Sequence, residues 1–185
     1  MNTLQFLIQT IIGVYLFILV AKTWLQYCRV NAYNPLSQTL IKLTQPVLAP
    51  VRKVIPMKFN IDFSALFVAF VLGALKLPIL YWLMSERFSL DLIYIVLLGV
   101  LSIAKAWGEM IFWAIFLRAI MSWFSRGNNP LDYVLYQISE PLLAPIRRIL
   151  PSTGMLDFSV MVLGILLILL NNVLFDIFGQ LWLIA

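Results

Sequence analysis

Histidine is absent from this chain, cysteine occurs once, at Cys28, and charged residues make up only 11% of the sequence. These absences exclude disulfide frameworks, Cys/His zinc sites, His-ligated haem and Ser–His or Cys–His catalytic pairs. The eight Asp and Glu residues are scattered, so the sequence does not indicate a carboxylate metal site either. We therefore expect no catalytic residue, no metal and no cofactor, and we predict that the protein is not an enzyme.

Apolar residues are abundant instead, at 63% of the chain, and the mean hydropathy is +0.98. A soluble domain is closer to half apolar and a quarter charged, so this chain requires a bilayer as its solvent. The net charge is +5. In a membrane protein, basic residues set orientation and contact anionic headgroups. We expect membrane lipids, chiefly anionic ones, as partners, and no nucleic acid.

Four apolar segments are long enough to span a membrane. The shortest has 18 residues, about 27 Å as a helix, against a hydrocarbon core of about 30 Å. Only a helix satisfies its own backbone in lipid, so the sequence predicts an all-α fold with four transmembrane helices. The apolar tail from Ile177 to Ala185 either extends the fourth helix or lies at the interface. The four segments are Leu4–Ala21, Phe63–Met84, Leu92–Leu117 and Phe158–Phe175.

Basic side chains are concentrated in two long loops, approximately residues 28–61 and 119–157. The short loop Ser85–Asp91 carries only Arg87. The positive-inside rule therefore predicts that both long loops are cytoplasmic and that the N- and C-termini lie outside.

An internal repeat organises the chain. Residues 34–64 recur as residues 129–159 at a constant offset of 95, with 13 of 31 positions identical. Such self-similarity indicates duplication of a structural unit. We predict two tandem units, 1–90 and 91–185, each with two spans and a basic, proline-rich cytoplasmic loop. An even number of spans in each unit makes the two repeats parallel.

The doubled pattern N-P-L…[QE]-P-x-L-A-P-x-R-[KR]-x-[IL]-P…D-F-S resembles the YggT, or YlmG-like, family of bacterial membrane proteins. The resemblance covers nearly the whole chain and implies a multi-pass protein of the bacterial cytoplasmic (inner) membrane. Family members are associated with envelope organisation and, in plastids, with cofactor assembly; others are linked to osmotic tolerance and potassium uptake. Two hypotheses follow: a non-enzymatic scaffold or assembly factor in envelope organisation, or an ion-handling protein for cation uptake under osmotic stress.

Each repeated loop contains what we call an elbow: a short amphipathic segment followed by three prolines and a basic pair. The prolines are predicted to prevent a continuous helix. Asp62 and Asp157 follow the elbows and are placed to cap the next helices. An elbow is either a structural connection or a docking surface for lipid or for a cytoplasmic or membrane protein partner. The docking candidates are Arg52, Lys53, Pro46 and Pro50 in the first elbow and Arg147, Arg148, Pro141 and Pro145 in the second.

Ionisable residues inside membrane spans call for a functional hypothesis. The repeat places four polar side chains at one depth, about 20 Å from the cytoplasmic boundary. The layer either holds helices together, with its lysines reaching outward, or lines part of an ion pathway. Because four spans form a thin bundle, a pathway would call for a homo-oligomer. The layer comprises Gln9, Lys76, Lys105 and Asn171, with Asn172 beside it and Glu109 one turn nearer the cytoplasm.

Overall fold

The computed structural model describes residues 3–57, 60–84, 92–124, 130–150 and 157–185. Its regular elements are helices, and four of them are long and apolar enough to cross a membrane. The predicted all-α membrane fold with four transmembrane helices is therefore confirmed. The elements are α1 (Thr3–Tyr27), α2 (Pro35–Arg52), α3 (Phe63–Met84), α4 (Leu92–Phe124), α5 (Pro130–Ile149), α6 (Phe158–Phe178) and α7 (Gln180–Ile184).

The spans α1, α3 and α4 form the centre of the bundle, and α6 packs against α4 and α5 at its edge. In the most apolar 18-residue stretch of α3, 44% of the residues are buried, whereas in that of α6 only 6% are. Most side chains of α6 therefore lie outside the packed core of the bundle. A continuous cluster of buried apolar side chains, including Leu16, Val20 and Ala69, joins α1 to α3.

Small residues bring α3 and α4 together. A Cβ added to Gly73 would lie 2.6 Å from the Cβ of Ser102, and one added to Gly99 would lie 2.7 Å from a ring carbon of Phe70. Small residues permit such close approach between membrane helices. By contrast, Gly164 in α6 has no atom within 4 Å of the position of an added Cβ.

The elbows form two surface helices, α2 and α5, on one side of the bundle. The prediction that their prolines interrupt the helix is wrong: α2 continues through Pro46 and Pro50, and α5 through Pro141 and Pro145. The two prolines of each helix are four residues apart and exposed, so they share one outer face. The carbonyls that they leave without N–H donors therefore lie on a face open to water or headgroups. The third proline of the second elbow, Pro151, and the short loop Ser85–Asp91 lie outside the described residues.

The second elbow is bonded to the end of the first span. The indole Nε1 of Trp24 donates a buried 2.9 Å hydrogen bond to the carbonyl of Ile138. The Nε2 of Gln137 donates to the carbonyl of Cys28 at 2.9 Å. These bonds place α5 beside the C-terminal end of α1, which leads into the first elbow and which we call its elbow end. Both elbows therefore lie on the same side of the molecule.

The apolar tail extends the fourth helix only as far as Phe178. Helix α6 ends at Phe178, and Gly179 has a positive φ of 53°, a conformation that glycine adopts without strain. Helix α7 then packs back against α4 and α6, on the side opposite the elbows. Trp182 is 4% exposed, and its Nε1 donates to the side-chain oxygen of Asn171 at 3.0 Å.

Candidate functional site

The first elbow is fixed to the bundle by one buried carboxylate. Asp62 is fully buried, and its Oδ2 lies 2.5 Å from the Nζ of Lys22 and 2.6 Å from Nη2 of Arg52. Its Oδ1 accepts hydrogen bonds from the hydroxyl of Ser64 and, at 3.3 Å, from the backbone N–H of Ala65. The carboxylate thus caps α3, as predicted, and also joins α1 and α2 to it. We call Lys22, Arg52, Asp62 and Ser64 the first network.

The second elbow has an equivalent network with one additional carboxylate. Arg147 lies between two acids, with Nη2 2.5 Å from Oδ2 of Asp157 and Nη1 2.9 Å from Oε1 of Glu140. Arg118, at the elbow end of α4, lies 3.4 Å from Oε2 of Glu140. Asp157 caps α6 and accepts from the N–H of Ser159 at 3.1 Å. We call Arg118, Glu140, Arg147 and Asp157 the second network.

The two networks differ in charge and burial. The first has two cations and one carboxylate, whereas the second has two of each. Burial alone would raise the pKa of Asp62, but hydrogen bonds from Lys22, Ser64 and Arg52 outweigh it and lower that pKa to about 2. Burial also opposes ionisation of Asp157, whose pKa is nevertheless held below its usual value by Arg147. Asp157 is more open, with 39% of its side chain exposed.

Each basic pair among the docking candidates has one residue that belongs to a network, the inner residue, and one that does not, the outer residue. Arg52 and Arg147 point inward and form ion pairs within the chain. Lys53 and Arg148 are exposed. The four candidate prolines also lie on the exposed faces of α2 and α5. The outer residue of each pair is therefore the one that can meet a lipid or another protein.

Three of the four side chains predicted to lie at one depth, together with Glu109, surround a single cavity of about 410 Å³ on the side opposite the elbows. Its walls come from α1, α3, α4 and the α7 segment. A neighbouring cavity of about 210 Å³ lies between α4 and α6 and is lined by Asn171. Lys105 and Glu109 line both cavities. The four residues of the larger cavity are Gln9, Lys76, Lys105 and Glu109.

The α7 segment covers the two lysines of this layer. The Nζ of Lys76 donates to the carbonyls of Ile184, at 3.4 Å, and of Ala185. The Nζ of Lys105 donates to the carbonyls of Trp182 and Leu183, at 3.0 and 3.2 Å. Lys76 is only 4% exposed. Four main-chain oxygens therefore solvate two ammonium groups within the membrane-spanning region.

The roles of Lys22, Arg118 and Glu140 were not predicted from the sequence. A signal for the networks was nevertheless present, because an arginine precedes the capping aspartate by ten residues in both repeats, as Arg52–Asp62 and Arg147–Asp157. Cys28 directly follows α1, and burial raises the pKa of its thiol to about 11. Among the described residues, no three His, Cys, Asp or Glu side chains are grouped so that they could hold a metal ion.

Comparison with known proteins identifies relatives along nearly the full length of the chain. A protein of Haemophilus influenzae is 47% identical over 178 residues, which cover 96% of this chain and 94% of the relative. A Vibrio alginolyticus protein of the proC 3′ region is 44% identical over 98% of both chains. The protein YggT of Escherichia coli K12 is 43% identical over 92% of this chain and 88% of its own length. All three are described as uncharacterized. No solved structure matches the chain significantly.

The profile of the CCB3/YggT family matches the chain twice, over residues 1–83 and 96–178. Each match contains two of the four spans and one elbow. The resemblance seen in the repeated motif is therefore confirmed, and the chain belongs to the CCB3/YggT family.

Proposed function

We propose that the protein is a non-enzymatic scaffold of the bacterial inner membrane that acts in envelope organisation. In this proposal its elbows face the cytoplasm and engage anionic lipid or a cytoplasmic partner. The observation that carries the proposal is the separation of each basic pair into an anchored arginine and an exposed neighbour, Lys53 or Arg148. Two docking charges are thus held on elements that are fixed to the bundle.

The surface around these charges suits an interfacial contact. Val54, just beyond α2, is 80% exposed, and Ile149, the last residue of α5, is 84% exposed; each directly follows the outer basic residue of its elbow. Tyr133 and Tyr136 are 66% and 48% exposed on α5. Apolar and aromatic side chains next to basic ones are typical of segments that lie in the headgroup region or meet a protein there.

The test is photo-crosslinking in native membranes. A photo-crosslinking amino acid in place of Tyr133 samples the second elbow, and one in place of Trp82, which is 80% exposed on α3, samples the other side. We expect a discrete protein or lipid adduct from the elbow position only, lost in a Lys53→Gln/Arg148→Gln variant. The charge-conserving Lys53→Arg/Arg148→Lys variant should retain it. The absence of an adduct, or an adduct that persists in the Lys53→Gln/Arg148→Gln variant, would refute the proposal.

The polar cavity favours a second candidate, an ion-handling protein that contributes to osmotic tolerance. A cavity of about 410 Å³ lined by Gln9, Lys76, Lys105 and Glu109 is a place where a hydrated ion fits. The ammonium groups of Lys76 and Lys105 disfavour a cation there, which is why we prefer the scaffold. Potassium flux into liposomes that contain the purified protein, altered by Lys105→Ala or Glu109→Ala, would support this candidate. Absence of flux in an oriented preparation would reject it.

A further inference from the structure

We infer that one exposed face of α2 binds the phosphate group of an anionic lipid, in the place that the carboxylate of Glu140 occupies on α5. This inference rests on the proposed function, because it takes the elbows to lie at lipid headgroups. It also narrows that function, since it assigns the lipid to the first elbow. The internal repeat supplies the comparison: α2 and α5 are equivalent, residue by residue, at the offset of 95.

The face in question carries three cations and no acid. Its positions fall at helical spacing, and Lys53, which caps α2, still has helical dihedral angles. Four of the five side chains are exposed, and the fifth, that of Arg52, is 31% exposed. A phosphate can therefore approach without displacing any described part of the chain. The five positions, which we call the cationic face, are Lys42, Gln45, Ala49, Arg52 and Lys53.

The equivalent face of α5 is neutralised by a residue of its own. Glu140 occupies the place of Gln45, and the neutral Gln137 that of Lys42. The two carboxylate oxygens of Glu140 lie 2.9 and 3.0 Å from Nη1 of Arg147, the inner residue of the second pair. Three cations without an acid on α2 therefore correspond to two arginines and one carboxylate on α5.

The inner arginine of the first elbow has fewer partners than that of the second. Arg147 directs Nε, Nη1 and Nη2 at two carboxylates. Among the described residues, Arg52 meets an acid through Nη2 alone, and its buried Nε has no hydrogen-bond partner there. A guanidinium offers five N–H donors, in a geometry that suits carboxylate and phosphate oxygens. A phosphate beside Nη1 of Arg52 would take the role that Glu140 has in the second network.

The two lysines of the cationic face are free to meet the same kind of group. Neither Lys42 nor Lys53 forms an ion pair with a described residue. The surrounding charge favours anions as well: residues 22–62 contain six basic residues and one acid, a net charge of +5, whereas the equivalent residues 117–157 contain four and three, a net charge of +1. Each basic residue near a membrane surface adds to the attraction of anionic lipid, so the first elbow attracts it more strongly.

Exposed apolar side chains beside the cationic face favour a lipid over a soluble phosphate compound. Leu43 is 51% exposed and Val47 is 42% exposed. At the equivalent positions of α5, Ile138 is buried and Leu142 packs against the core. A helix with exposed apolar residues beside basic ones suits the boundary between headgroups and acyl chains. Only α2 therefore offers an anionic lipid both a place for its phosphate and a contact for its acyl chains.

The test measures the retention of phosphatidylglycerol and phosphatidylcholine by the full-length protein, using native mass spectrometry after exchange into mixed micelles. We expect phosphatidylglycerol to be preferred. Gln45→Glu, which gives α2 the carboxylate of α5, should weaken its retention about fivefold, as expected for one charge near an anionic lipid. Glu140→Gln makes the reverse exchange and should strengthen retention. Gln180→Glu, at an exposed position on the side opposite the elbows, is the matched control and should change little.

A change of the apolar side chains distinguishes a lipid from a free anion. Leu43→Ser/Val47→Ser should reduce phosphatidylglycerol retention and leave the binding of inorganic phosphate, measured by equilibrium dialysis, unaltered. Unaltered lipid retention in this variant, with phosphate binding that is lost in Gln45→Glu, would overturn the lipid assignment. Equal retention of both lipids, or equal retention in Gln45→Glu and Gln180→Glu, would overturn the site itself.

Failure of this site and failure of the proposed function give different results. The photo-crosslinking position at Tyr133 samples α5, whereas lipid retention here depends on position 45 of α2. A discrete adduct at Tyr133 without any effect of Gln45→Glu would reject the lipid site and leave docking at the elbows intact. A position-45 effect without an adduct would support the lipid site and reject a partner at the second elbow.

Discussion

The ammonium group of Lys22 lies 2.5 Å from Oδ2 of Asp62, although the two residues are forty positions apart. Both side chains are almost completely buried, at 3% and 0% exposure. The contact joins the elbow end of α1 to the first residue before α3, and Arg52 adds the end of α2 to the same oxygen. A single carboxylate therefore joins the end of the first elbow helix to both α1 and α3.

Removing that charge should destabilise the bundle. Asp62→Asn leaves the buried ammonium of Lys22 without a counter-charge, and removing one partner of a buried ion pair costs about 3–5 kcal/mol. Asp157→Asn is the matched change in the second network, where 39% of the carboxylate side chain is exposed, and should cost about 1 kcal/mol or less. Thermal unfolding in one detergent, followed by tryptophan fluorescence, measures both. Equal losses would contradict the structural difference between the networks.

The first network also predicts a pH dependence. The pKa of Asp62 is lowered to about 2 in the folded protein, against about 3.9 when unfolded. A lowered carboxyl pKa contributes stability that is complete above the unfolded value and is lost as the pH falls through the folded one. The stability difference between the native protein and Asp62→Asn should thus stay constant from pH 7 to about 5 and narrow between about pH 4 and 2. Narrowing above pH 5 would show that Asp62 is not the group responsible.

Much of this fold could be predicted because bilayer physics leaves few alternatives. An apolar run of about 20 residues must become a helix in a bilayer. The constant offset of 95 residues then identifies the equivalent positions in the two repeats. The capping aspartates were predictable for a similar reason, since Asp62 and Asp157 directly precede apolar helices. Contacts between distant segments could not be predicted. Nothing in the local sequence distinguishes Lys22, which pairs with Asp62, from a lysine that ends a span at the headgroups.

The errors have identifiable physical causes. A proline removes one helical hydrogen bond, but Pro46 and Pro50 lose theirs on an exposed face, where the cost is low enough for α2 to continue. The course of α7 depends on Gly179 and on two lysines from other spans, which no periodicity within residues 177–185 encodes. The positive-inside rule also assigns both members of a basic pair the same role, although one of them is paired with a carboxylate of the same chain.

The elbow prolines provide a further prediction. Pro46→Ala restores a backbone N–H opposite the carbonyl of Lys42, and Pro145→Ala does the same in α5. Both sites are exposed and helical, so we expect stability to be unchanged or raised by about 1 kcal/mol, the usual net value of one hydrogen bond. Thermal unfolding and far-ultraviolet circular dichroism measure the effect. A clear loss of stability in both variants would show that the bend made by each proline is needed for the elbow to pack.

The contact between α3 and α4 yields the sharpest steric prediction. Gly73→Ala would place its Cβ 2.6 Å from the Cβ of Ser102, so the two spans must separate, and overpacking of this kind costs about 1–3 kcal/mol. Gly164→Ala is the matched control: its Cβ meets nothing within 4 Å, and alanine is the better helix former, so stability should be equal or higher. Ser102→Gly removes the opposing Cβ and should recover most of the loss when combined with Gly73→Ala. If Gly73→Ala and Gly164→Ala behaved alike in thermal unfolding, the close approach of α3 and α4 would be wrong.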